Sequence, residues 1–423
     1  MNRLTAFCQS LRTPDPFFNI CYALMLPMML LLPYTTFFMW PIGIALTALW
    51  IGQWNWHEKW ENFKANDGIP YGFFLLSICL VPLLGFINSE NMPIAWRTLE
   101  CHLWFFITPL IFLTSSTKLW SQRHVNTLII LFSASEIGML LFFAARGIHM
   151  TAATGDISYM FDSMFCKPYH HAYIALYATF VYTLVFYYLS THSHNISTLG
   201  KALLLLTEVF LAACIFCVYS RAGILTFLII HLVMCGYAVY RNPSRWKSFF
   251  GILILVFALF ATLIAKSPNN RFTQTAITLH QRNNDNRTPD ARLIIWQAAW
   301  DGAIENMPWG VGTGDGHEVI VEKYHENGYW EQSNHPYNAH NQLLSALLTN
   351  GIPGLLLTTL YLITPLCTGI KHRDILLLAL FLLLFFNCMV ECMFDRRAGV
   401  DFFAIMIPLF ILRANLLKET PKQ

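Results

Sequence analysis

The sequence predicts an all-α polytopic membrane protein: about twelve transmembrane helices and one large, partly helical loop outside the bilayer. Three observations predict it. Only 12% of the 423 residues are charged, about half of the roughly 25% usual in soluble domains. The mean hydropathy is +0.47. Apolar runs recur at about the 20-residue length that a helix needs to cross hydrocarbon.

In chain order those runs are 17–34, 36–52, 71–87, 101–115, 126–145, 171–190, 202–219, 222–240, 249–265, 341–364, 374–391 and 399–413. They divide the chain into residues 1–265 with nine helices, a loop over 266–339, and residues 340–423 with three more, all one integrated membrane domain.

Lys and Arg in short connections set the orientation. With the N-terminus inside, 15 of them, Lys59, Lys371 and Arg413 included, fall in the inside segments. Only 6 (Arg97, Arg146, Lys167, Arg221, Arg396 and Arg397) fall in short outside loops. Both termini are therefore expected in the cytoplasm and the long loop outside. No cleavable signal peptide is expected, because the first apolar run lacks a small-x-small cleavage site and a second follows at once. A net charge of +3 gives no reason to expect a nucleic-acid partner. The 11 cysteines lie mostly inside spans and none lies in the long loop, which argues against a disulfide framework. Cys214 and Cys217 form a C-x-x-C in an apolar helix, where ordinary packing is the expectation.

The loop is divided by charge. Residues 266–292 carry Lys266, Arg271, Arg282, Arg287 and Arg292 against Asp285 and Asp290, whereas 293–339 carry only Lys323 against seven acids. A basic half followed by an acidic half suits an anion site with a solvated rim. Within it "RTPDARLIIWQAAWDGAIENMPWG" reads as a helix, with Thr288 as N-cap and Pro289 in the first position. Leu293, Trp296, Trp300 and Ala303 or Ile304 recur at helical spacing as its apolar face, to lie on the membrane or against the bundle. "GVGTGDG" then forms a turn. It is either a plain connection or a cradle of amides for an anion, which makes Gly312 a candidate contact.

Four groups place charge at the outer edge. Arg221, in "VYSRAGIL", is either a snorkelling interface residue or a functional cation at a tight junction. Arg292 sits in the first turn of the loop helix, where the dipole disfavours a cation unless an anion is shared. Arg271, in "PNNRFTQ", lies just past the ninth span. His340 stands at the mouth of the tenth, followed by Asn341, and reads as a helix starter or a catalytic base. Metal ligation has little support: His335 and His340 are not an H-E-x-x-H pair and no D-x-D occurs. Arginines grip a pyrophosphate bidentately and neutralise it as it leaves. A neutral His takes a proton from an attacking hydroxyl near neutral pH. The set suits transfer from a lipid pyrophosphate to an alcohol.

At this point the chain resembles the O-antigen ligase family, whose superfamily includes O-antigen polymerases and O-linking oligosaccharyltransferases. The resemblance rests on "SRAG" at 220–223, "ARLIIWQAAW" at 291–300, "PWGVGTG" at 308–314 and "HNQLLSALLTNGIPG" at 340–354. It implies a GT-C-like fold in the bacterial inner membrane with a periplasmic site and no metal or cofactor. It also implies that Arg221, Arg271 and Arg292 bind the undecaprenyl-pyrophosphate of a glycan donor, and that His340 activates a hydroxyl of lipid A–core with inversion. Arg397, Gly312 and Asn341 are further candidates. A polymerase, a protein O-oligosaccharyltransferase and, in another class, a transporter of lipid-linked sugars stand as alternatives.

Three other features carry expectations. Glu391 just precedes Arg396 and Arg397, and a structural Glu–Arg pair is expected there. Glu136 and Glu208 lie inside spans and are expected to be protonated or paired. Gly351-Ile-Pro-Gly354 is expected to kink the tenth span.

Overall fold

The computed structural model describes residues 11, 13–247, 291–329 and 338–419, with positions 250, 251, 254, 258 and 262 between. Most of the expected ninth span, Arg271, Thr288 and Pro289 lie outside the described residues. Among the described residues every regular element is a helix. Leaving aside the short Asp162–Cys166 helix and single 3-10 and π turns, they are α1 (Pro16–Leu31), α2 (Met39–Gly52), α3 (Trp56–Ala65), α4 (Phe73–Ser77), α5 (Leu80–Phe86), α6 (Met92–His102), α7 (Trp104–Thr114) and α8 (Gln122–Thr154). Then come α9 (His171–His192), α10 (Thr198–Val218), α11 (Arg221–Arg241), α12 (Ala291–Glu305), α13 (Gly316–Glu326), α14 (Gln342–His372), α15 (Ile375–Cys388) and α16 (Arg397–Glu419).

Among the described residues six helices suffice by length and composition to cross a membrane, or seven if Gly68–Ser77 and Leu80–Phe86, bent by 43°, form one broken span. Pro16–Leu31, Met39–Gly52 and Ile375–Cys388 are apolar but shorter. The chain is thus an all-α protein with several membrane-crossing helices.

Polar side chains at element boundaries decide where these helices start. Asp15 accepts from the amides of Phe17 and Phe18 at 2.8 and 3.1 Å, with Pro16 in the first position. Ser121 and His124 satisfy each other's backbone amides at the head of α8. Ser220 caps α11 and Asp374 caps α15. α16 is the central element, with residues 401–416 all buried.

The helix ends sort into two groups. At one, Asp374 pairs with Arg413 at 2.6 Å, and Asp67 holds Lys371 and His372. Lys59 lies 4.6 Å from the ring centres of both Trp50 and Trp56. Lys59, Lys371 and Arg413 all belong to the set that the charge count puts inside. At the other end stand the first residues of α9, α11, α14 and α16. Gly223 packs on Ala175 there, levelling the start of α11 with that of α9.

On this second end α12 and α13 form a small core of their own with the first turns of α14. The Leu293–Trp300 face, expected on the membrane or against the bundle, is not the face that α12 packs on α13 and α14. Its buried stripe is Ile294, Ile295, Ala298, Ala299 and Ala303, whereas Leu293, Trp300 and Ile304 are exposed and Trp296 is half-buried. The short side chains of Ala and Gly302 allow the close approach to α13 and α14 that a Trp face would prevent.

The kink in α14 is where it was expected. Gly351 has φ 62° and ψ −154°, a conformation essentially reserved for glycine. The opened backbone receives the turn that follows α12: Val311 N donates to Leu348 O and Gly312 N to Thr349 O, both at 2.9 Å. Ile352 N donates to Pro308 O, also at 2.9 Å.

Candidate active site

A cavity of about 1190 Å³ opens at the second end. Residues from α2, α6, α9, α13, the head of α14 and the segment between α15 and α16 line it, His340, Glu391 and Arg397 among them.

Asn341 is the N-cap of α14, its Oδ1 accepting from the amides of Leu343 and Leu344 at 3.0 and 3.1 Å. That accounts for Asn341 locally as a helix starter. His340, one residue earlier, is held at φ 43°, a left-handed conformation uncommon for a non-glycine residue and a frequent mark of functional sites. Asn338 Oδ1 accepts its amide at 3.2 Å, and its carbonyl accepts from Trp296 Nε1 at 3.4 Å.

The His340 side chain is fixed from across the cavity, where Nδ1 lies 2.9 Å from Glu391 Oε2. The other Glu391 oxygen, Oε1, accepts from Arg292 Nη2 at 3.3 Å. One carboxylate thus joins the head of α14 to the head of α12. Burial by itself would raise the Glu391 carboxyl, but the His340 hydrogen bond, backed by the Arg292 guanidinium, outweighs it and holds the group below its ordinary value. The expected pair of Glu391 with Arg396 or Arg397 is corrected: among the described residues its ion pairs are with Arg292 and His340. The residues concerned are 99 and 51 positions from Glu391, separations that local spacing does not reveal. Arg292 does share an anion at its helix start, and the anion is this carboxylate.

The tautomer follows. A carboxylate accepting from Nδ1–H leaves the lone pair on Nε2, the nitrogen able to take a proton. A second imidazole, His170, lines the same cavity. Burial pushes it down to about 4, reinforced by His171 and Arg396, so it stays neutral at pH 7. The sequence reading missed it, since nothing in "YHHAY" connects it with His340.

The remaining candidates are placed as follows. Gly312 is not free to cradle an anion: its amide goes to Thr349 O, while those of Thr313 and Gly314 go to Gly85 O and Ser89 Oγ at 3.1 and 2.9 Å. The turn is a structural clasp, because each of these donors is already satisfied by protein. Arg397 lines the cavity against Trp40, its guanidinium carbon 4.8 Å from the ring centre. Arg221 is the first residue of α11, half-buried, level with the cavity end of the fold but outside its lining. Glu136 and Glu208 are buried within α8 and α10. Among the described residues no three His, Cys, Asp or Glu side chains gather closely enough to hold a metal ion.

No curated protein matches the chain. Residues 206–359 match the family described as O-Antigen ligase. This stretch contains Arg221, Arg292, the clasp and the His340 helix head, and the match supports the resemblance of the chain to the O-antigen ligase superfamily.

Proposed function

We propose that the chain is a metal-independent inverting glycosyltransferase of the ligase type. It moves a preassembled glycan from undecaprenyl pyrophosphate to a hydroxyl of lipid A–core oligosaccharide, in lipopolysaccharide biosynthesis at the periplasmic face of the inner membrane. Twelve crossings, with 249–265 as the ninth, and cytoplasmic termini complete this reading. The observation that carries it is the His340–Glu391–Arg292 linkage at the edge of the cavity.

In this scheme the acceptor oxygen attacks the anomeric carbon from the side opposite the pyrophosphate, and the carbon–oxygen bond to phosphate breaks. The hydroxyl proton passes to His340 Nε2, and Glu391 stabilises the imidazolium that forms. Undecaprenyl pyrophosphate leaves with the bonding pair, neutralised by Arg292, Arg221 and Arg271, and the anomeric centre inverts.

Reconstitution tests the reading. Purified protein is given a lipid-pyrophosphate glycan with lipid A–core, with a peptide containing Ser and Thr, or with no second acceptor. Product on lipid A–core is expected. Product on the peptide identifies a protein O-oligosaccharyltransferase, and lengthened lipid-linked glycan a polymerase. No product in any mixture, with movement of the lipid-linked glycan between leaflets, identifies a transporter.

A further inference from the structure

Arg397 takes no part in the His340 linkage, yet its environment asks for a ligand. Its Nε and Nη2 atoms are buried with no hydrogen-bond acceptor among the described residues. Asp401, one turn along the same helix, is not that acceptor: both of its carboxylate oxygens are also buried and unpartnered. Trp40 holds the guanidinium on one side by a cation–π contact. A buried charged donor without an acceptor is strongly unfavourable, so a ligand or an ordered water belongs there.

Position narrows the choice. Arg397 opens the apolar span Arg397–Lys418, so it stands where the head group of an amphiphile meets the bilayer edge. It lines the cavity together with Arg97 and Arg396. Arg292, the cation nearest His340 by hydrogen bonding, already shares its charge with Glu391. A phosphate-bearing substrate in this cavity therefore needs a cation that no protein carboxylate has bonded, and Arg397 supplies two unspent N–H donors.

We infer that Arg397, clamped on Trp40, is an oxyanion site of the cavity that grips a phosphate ester of a lipid-borne substrate through its planar N–H donors. The inference rests on the glycosyltransferase reading above for the substrate being lipid-borne. Two sources share this chemistry: the diphosphate of the donor lipid and a phosphate on the acceptor lipid.

The test measures binding of farnesyl diphosphate and, separately, of lipid A to the purified full chain, as wild type, Arg397→Gln and Arg397→Lys. Arg397→Gln should bind one probe about tenfold more weakly or worse, with Arg397→Lys in between. A loss for farnesyl diphosphate assigns the site to the donor, and a loss for lipid A assigns it to the acceptor. Arg397→Lys carries the test if Arg397→Gln does not fold. Unchanged affinity for both probes overturns the inference and leaves an ordered water as the partner. If His340→Ala abolishes transfer in that same case, this inference falls alone. If wild type binds neither lipid, the glycosyltransferase reading falls as well.

Discussion

His340 Nδ1 and Glu391 Oε2 are 2.9 Å apart, although 51 residues separate them in the chain. The contact ties the head of α14 to the segment that follows α15, and it selects which imidazole nitrogen faces chemistry. With Arg292 on the other oxygen, it also ties the head of α12 to that of α14.

The first prediction concerns His340 itself. Its φ of 43° favours Asn, which adopts left-handed backbone more readily than Ala. His340→Asn should keep the fold and lose the base, dropping turnover about 100- to 10,000-fold, the usual worth of a general base. Steady-state transfer rates and a melting curve check this. Turnover near wild type would make His340 a helix starter only.

Glu391→Gln keeps shape and removes charge. Its main effect should be on kcat, about 10- to 100-fold, with KM less affected, because the carboxylate orients a base and does not hold substrate. Stability should respond to pH as well. The Glu391 carboxyl lies below its unfolded value near 4.5, so its contribution is fully present above that pH and fades as pH falls through the folded value. The melting-temperature gap between wild type and Glu391→Gln should therefore be constant near neutrality and close on acidification below about 4.5. A gap independent of pH would show that the carboxylate is not held by His340 and Arg292.

What the sequence reveals of this arrangement is uneven, for physical reasons. Composition and apolar run length identify an all-α membrane protein because hydrocarbon enforces both. The α14 kink is legible because Gly351 and Pro353 mark it locally. The buried face of α12 is not: α12 is apolar on two sides, and its partners decide that the small residues, not the Trp residues, go inside. Glu391 is misread for the same reason, since the nearest Arg in sequence is not its partner in space. The amide of Gly312 looks available in sequence and is spent once α14 unwinds beside it, while that of Gly314 goes to Ser89 Oγ.

Arg221 offers a test of whether a cation outside the cavity lining takes part. It begins α11 on the cavity side of the fold, where Gly223 packs on Ala175. Arg221→Lys keeps the charge but loses the planar two-point grip. If Arg221 reaches the donor pyrophosphate, Lys should cost about tenfold or more in kcat/KM, without a change in melting temperature. Near-normal kcat/KM would leave Arg221 as a snorkelling residue.

The last prediction separates the clasp from the chemistry. Gly351 adopts a backbone conformation that an L side chain tolerates poorly, and a Cβ there would run into the Pro308 carbonyl. Gly351→Ala should cost about 3 kcal/mol by strain alone. The damage should spread, because Ile352 N to Pro308 O is one of the bonds that dock the turn behind α12 onto α14. Once the turn lifts, Arg292 no longer has a fixed approach to Glu391. Melting temperature and transfer should then fall together, unlike in His340→Asn, where transfer alone falls. Ile352→Ala is the control: this half-exposed neighbour keeps its amide bond and should change stability by no more than about 0.5 kcal/mol. A Gly351→Ala protein with normal melting and normal transfer would mean that the clasp does not hold the site together.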